Sequence, residues 1–144
     1  MKLALAQINT TVGDFDGNLA LLRAAYERGV AAGAELVVAP ELAMTGYPPR
    51  DLLLKSGFIE GNLAALESLA QSVEGTGLVV GHVAANERQP GRPAVNAVSC
   101  CIRATLWPPG RRRCCRRTMC LMKTAILSRP NPMCRWNLTV AGSA

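Results

Sequence analysis

The feature that most limits what this chain can fold into is a break at Ser99. All ten acidic residues lie before it, whereas all six cysteines and nine of the sixteen basic residues lie beyond it. Residues 1–99, with seven basic and ten acidic side chains, carry a formal charge of −3, and residues 100–144 carry +9. No single folding pressure produces such a switch. The hydrophobic periodicity that specifies strands and helices is therefore expected in residues 1–99, with an irregular tail over residues 100–144.

The chain has 144 residues, 49% of them hydrophobic, enough for one domain with a core. The apolar run at residues 3–6 is too short for the core of an export signal and leads into Gln7 and Asn9. No stretch has the roughly 20 apolar residues needed to cross a bilayer. A cytoplasmic protein with reduced thiols is the expectation, and the Asn9 and Asn137 glycosylation patterns then carry no weight. The basic excess would suit nucleic acid, but it sits in a tail without helical period or interleaved aromatic residues, so nucleic-acid binding is not favoured. The pairs Cys100-Cys101 and Cys114-Cys115 lack the spacing by which two thiolates grip one zinc, and no metal site is expected.

Residues 2–8 read as a short strand. A helix over residues 17–32 follows, capped by Asp16 and ended by Gly33, with Leu19, Leu22, Tyr26 and Val30 in one apolar stripe. Residues 36–39 form the continuous apolar run of a strand buried on both faces, halted by Pro40. After a loop at 41–49 and a short apolar segment at 52–54, a second helix spans residues 60–73, with Leu63, Leu66 and Leu69 or Ala70 on one side. Residues 78–84 are a third strand, and residues 94–99 open a fourth after a turn at 90–93. This order predicts an α/β fold.

The chemistry concentrates in Val37-Val38-Ala39-Pro40-Glu41-Leu42 and Thr45-Gly46-Tyr47-Pro48-Pro49-Arg50-Asp51-Leu52. A carboxylate just past a buried strand and a proline can be held in a cleft where desolvation lifts it into the range of a general base. The same placement also suits a solvated strand-end charge. His82, the sole histidine, lies inside the third strand and reads as a packed core residue.

These segments, with Leu5-Ala6-Gln7 opening the first strand and Gly81 in the third, resemble the N-terminal part of the nitrilase (carbon-nitrogen hydrolase) superfamily. The stretch from Glu41 to Leu52 looks most like the glutamine-hydrolysing domains of glutamine-dependent NAD synthetases. The resemblance implies a partial nitrilase-type α-β-β-α sandwich, with residues 1–99 as the N-terminal part of the hydrolase domain. It also implies a Glu-Lys-Cys triad in which a thiolate attacks the glutamine carboxamide, the glutamate is the base and the lysine holds the oxyanion. Glu41 matches the base, and Tyr47 is either a wall of the glutamine pocket or a loop-packing residue. Neither the lysine nor the cysteine role falls on a residue of this chain: Lys123 lacks the expected leucine-proline partner, and none of the cysteines follows the expected strand. ATP and deamido-NAD would bind a synthetase domain absent from this chain, so no cofactor is expected here. The intact family forms homo-oligomers. The alternatives are a piece of another amidase branch, or a non-catalytic module whose basic tail binds RNA or acidic partners.

The genetic code accounts for the break. With each codon boundary moved one nucleotide upstream, the DNA for residues 112–130 can read K-T-L-L-P-T-Y-D-V-F-D-E-D-R-Y-F-E-P-A, which resembles the family's lysine segment. Met119 followed by Cys120 forces Val in the shifted frame, and Met122 followed by Lys123 forces Glu; both agree with that string. Back-reading from Cys100 permits V-L-H-Q-G-N-V-V-A, a natural continuation of the fourth strand. The expectation is a one-nucleotide shift near Ser99, ending short of the cysteine strand and leaving half a sandwich with apolar faces lacking their partner layer. Resequencing the coding DNA should show the extra or missing nucleotide as an error or as a true lesion; a clean uninterrupted read through codon 100 removes the sequencing-error version.

Overall fold

The computed structural model describes residues 1–86 and 94–111. The expected turn at 90–93, Lys123, Asn137 and the four cysteines from Cys114 onward lie outside the described residues. Strand β1 (Leu3–Leu5), helix α1 (Phe15–Ala31), strand β2 (Leu36–Val38), a 3-10 turn (Arg50–Leu54), helix α2 (Phe58–Gln71) and strand β3 (Gly77–Ala85) are followed by β4 (Ala94–Ile102) and β5 (Thr105–Arg111). The five strands form one sheet in sequence order; β1, β2 and β3 run parallel, and β4 and β5 return antiparallel. Each parallel step crosses over through a helix, as it must, and the antiparallel steps do not. The fold is mixed α/β, as the sequence predicts.

Helix α1 begins two residues earlier than expected because its cap is Asp14 rather than Asp16. Asp14 Oδ1 accepts from the Gly17 amide at 2.9 Å, while Asp16 lies in the first turn. Of the expected stripe, Leu22 and Tyr26 are buried and Leu19 is partly buried, but Val30 is 44% exposed: the stripe runs off the sheet near the helix end. The Tyr26 hydroxyl donates to the Thr76 carbonyl at 2.9 Å and accepts from the Glu74 amide at 3.1 Å, tying α1 to the entry of β3. Helix α2 contributes Leu66, Leu69 and Ala70 to the same core. Burying each leucine is worth about 1.5–3 kcal/mol.

The strand register separates the two faces of the sheet. Ala4, Val37, Leu78, Cys101 and Leu106 are mutual partners across all five strands and face the helices, with Val37, Leu78 and Cys101 fully buried. One residue along, Leu5, Val38, Val79 and Cys100 line the opposite face, where Leu5 is 66% exposed and the other three are half-buried. Strand β2 is therefore buried on one face, not on both as expected, because both helices pack on the same side of the sheet. This is the α-β half of a layered sandwich, with its apolar outer face uncovered among the described residues.

The expected irregularity does not begin at residue 100. Strand β4 continues through Cys100 and Cys101 to Ile102 and pairs with β5. Ladder hydrogen bonds use main-chain groups, and buried Ser99 and Cys101 keep the alternation of the strand.

The chain leaving β2 is pressed onto β3. A Cβ on Gly81 would lie 2.6 Å from the Leu42 nitrogen, 2.8 Å from the Pro40 oxygen and 3.0 Å from the Glu41 Cα. Only a residue without a side chain admits this approach. Ala43, Met44 and Thr45 are then completely buried, and Asn18 fastens the segment: its Nδ2 donates to the carbonyls of Thr11 at 2.7 Å and Met44 at 3.1 Å, and its Oδ1 accepts from the Thr11 amide at 2.8 Å. Gly46, at φ +74°, closes the turn against the backbone of Thr11 and Val12.

Two outcomes follow for stability. Gly81→Ala should lower it by about 1–3 kcal/mol in urea unfolding, because the clash is with backbone that cannot rotate away. His82 is fully buried between the Val83 carbonyl, 3.0 Å from Nδ1, and Ser99 Oγ, 2.8 Å from Nε2, and burial pulls its pKa below the ordinary 6.5. The neutral imidazole is thus the folded form, and its contribution is complete above 6.5 and lost as the pH falls toward the lowered folded value. The thermal midpoint should fall as the pH is lowered below 6.5, and His82→Gln should flatten that dependence.

Candidate functional site

Glu41 follows β2 at the C-terminal end of the parallel strands, the end of an α/β sheet where loops converge on ligands. Its position is set by backbone: the Ala39 amide bonds the Val79 carbonyl at 2.8 Å, the Met44 amide bonds the Gly81 carbonyl at 3.3 Å, and residues 40–42 rest on Gly81 between those anchors. The next residue, Leu42, adopts φ +50°, a left-handed conformation that costs a side-chain-bearing residue about 1–2 kcal/mol. Strain of this kind is sustained where the surroundings over-determine it, and Leu42 is buried at 6% exposure. The turn continues with Thr45 and Gly46 amides bonding the Leu42 carbonyl at 3.1 and 2.8 Å.

The Glu41 carboxylate is half-buried. Its Oε1 accepts a hydrogen bond from Nδ2 of Asn96, a residue 55 positions later in β4. Asn96 is paired in register with Val83, two residues beyond Gly81 on β3, so the glutamate side chain reaches from its seat on Gly81 to the adjoining strand. Asn96 escapes notice in the sequence because an asparagine near a turn is unremarkable there. Its companion signal, alternation within residues 94–99, was legible only as strand.

Tyr47 is placed on the same loop, at 64% exposure, with a cis peptide bond to Pro48. The structure does not bring it against Glu41 through any hydrogen bond. His82 is adjacent to Gly81 in sequence, yet it points into the helix-side layer with Ser99 and is closed to solvent. It is a packed core residue, as expected.

Among the described cysteines, Cys101 is fully buried, and burial, with a smaller contribution from neighbouring Cys100, pushes its thiol up to about 12. A thiol so disfavoured as thiolate is no nucleophile at neutral pH. Among the described residues no group of three His, Cys, Asp or Glu side chains could hold a metal ion, and no helix is long and apolar enough to cross a membrane. The arrangement can therefore accept a proton at a fixed, half-buried carboxylate beside an amide donor.

Comparison with known proteins identifies the frame in which that carboxylate sits. The chain is 44% identical over 81 residues to the glutamine-dependent NAD(+) synthetase of Rhodobacter capsulatus and 40% identical over 80 residues to that of Thermotoga maritima. Each match takes in 56% of this chain, and the chain spans only about 15% of the length of these relatives. In fold it is similar to the glutamine-dependent NAD(+) synthetase of Cytophaga hutchinsonii, with a TM-score of 0.67 and 24% identity over 74% of this chain and 18% of that one. It is also similar in fold to an amidase from Nesterenkonia sp., with a TM-score of 0.62 and 22% identity over 78% of this chain and 42% of that one. The family model for carbon-nitrogen hydrolases matches residues 2–113, past the break at Ser99 and through the whole five-stranded sheet. A sheet whose third strand carries a glycine beneath a proline-glutamate bend, matched along most of its length by that family pattern, places this chain in the carbon-nitrogen hydrolase family.

Proposed function

We propose that this chain is the N-terminal part of a glutamine-hydrolysing domain that supplies ammonia for the formation of NAD from deamido-NAD, with Glu41 as its general base. The observation that carries the reading is the Glu41 carboxylate, seated on Gly81 at the end of a parallel strand and bonded by Asn96. The identity of 44% and 40% over 81 and 80 residues to two NAD(+) synthetases supports glutamine as the substrate.

In this scheme Glu41 takes the proton of a cysteine thiol as the sulfur attacks the carboxamide carbon, and a lysine stabilises the oxyanion. Collapse of the tetrahedral species breaks the C–N bond. The proton held by Glu41 passes to the leaving nitrogen, ammonia departs, and water activated by the same carboxylate hydrolyses the thioester. The thiol and the lysine come from the resemblance, on no residue of this chain; Cys101 is fully buried in the helix-side core, away from any substrate. Tyr47 serves as a wall of the glutamine pocket, a role that its exposure of 64% on the loop after Glu41 supports. ATP and deamido-NAD belong to the separate synthetase domain, and a homo-oligomer in the cytoplasm is the setting.

A second reading, a piece of another amidase branch, draws support from the likeness in fold to the Nesterenkonia amidase. The downstream coding DNA separates the two, since a synthetase domain follows the hydrolase domain only in the first. Purified chain incubated with glutamine should release no ammonia above the buffer blank. Ammonia release that disappears in Glu41→Ala would overturn the assignment of the nucleophile to residues outside this chain.

A further inference from the structure

Asn96 supplies chemistry that the sheet does not require. It lies inside β4 opposite Val83, where asparagine is a poor strand former, and its half-buried position would suit an apolar residue. Its amide is only half used: Nδ2 donates to Glu41 Oε1, while Oδ1 is buried without a hydrogen-bond partner. An orphaned acceptor weakens a fold, so stability does not account for this side chain. Its orientation is dictated by the glutamate. An ionised carboxylate only accepts, so Nδ2 must face it, and the flipped amide would set two acceptors against each other.

We propose that Asn96 is the positioning residue of the Glu41 base, holding the carboxylate in one rotamer through Oε1 and leaving Oε2 to receive the proton. This rests on the reading of Glu41 as base. The anchoring is long-range in sequence and short in space. The backbone of Glu41 is immobilised from below by Gly81, but its side chain has free torsions that backbone contacts do not restrain. Among the described residues Asn96 is the one side chain bonded to that carboxylate. A base that must meet a proton at hydrogen-bond reach gains from such restraint.

The test is side-chain NMR on the full chain at neutral pH, which needs no turnover and so stands or falls separately from glutamine hydrolysis. In the wild type the two Glu41 γ protons should be resolved, reporting one rotamer. Asn96→Leu, which keeps the bulk but removes the donor, should collapse them to one averaged signal. Asn96→His, whose ring Nδ1–H falls near the place of Nδ2–H, should restore the splitting. A packing role predicts no loss in the leucine variant, and retained splitting there overturns the proposal, as do averaged γ protons in the wild type. Should Asn96→Leu fail to fold, Glu41→Ala provides the second readout: with its acceptor removed, the Asn96 side-chain amide proton that bonds Oε1 should move upfield, and an unchanged resonance overturns the proposal equally.

Discussion

The close approach of the 40–42 backbone to Gly81 is the constraint on which the rest of the site depends. Two segments of main chain can come this near only if one of them lacks a Cβ, and the consequence is directional. With the bend pressed down on β3, Glu41 starts its side chain at the level of the sheet and reaches across to Asn96 on β4. Lifting the bend by the width of a methyl group would move the carboxylate by a comparable distance, more than its hydrogen bond to Asn96 tolerates. The left-handed Leu42, the buried run from Ala43 to Thr45 and the triple hydrogen bonding of Asn18 all serve to keep that bend down.

The distribution of apolar residues over the two sheet faces explains the layering. Helices α1 and α2, with Val73 just past the second, cover one face with leucines, Tyr26 and that valine, and the strands answer with Val37, Leu78, Val80 and Cys101. The opposite face carries leucines and valines as well, and Leu3 and Leu5 are substantially exposed there. An apolar face of this extent belongs to a fold with another layer, which agrees with the sandwich that the family resemblance implies.

Much of the architecture was legible in the sequence because it rests on local periodicity. The 3.6-residue spacing of Leu19, Leu22 and Tyr26 and of Leu66, Leu69 and Ala70 announced both helices, and Gly33 marked the end of the first. The misplacements have physical causes. The sequence places the cap on Asp16, but the turn at Gly13, with φ +81°, directs Asp14 onto the Gly17 amide instead. Residues 36–38 look like a strand buried on both faces because apolar composition says nothing about how many helices cover which side. The extension of the sheet past Ser99 was hidden by charge and cysteine content, to which main-chain pairing is indifferent.

The site divides in the same way. Glu41 and Gly81 could be named from the sequence by resemblance, since a proline-glutamate bend after an apolar run and a glycine in the third strand are local patterns. What the sequence by itself determined was the set of elements, their order and the identity of the candidate base. Tertiary structure alone decided that Gly81 lies beneath that base, that Asn96 bonds it from 55 residues away, and that His82 is turned to the core. The reason is that periodicity encodes which face of one element is apolar, whereas the meeting of two elements is set by strand register and close packing, which exist only once the sheet has formed.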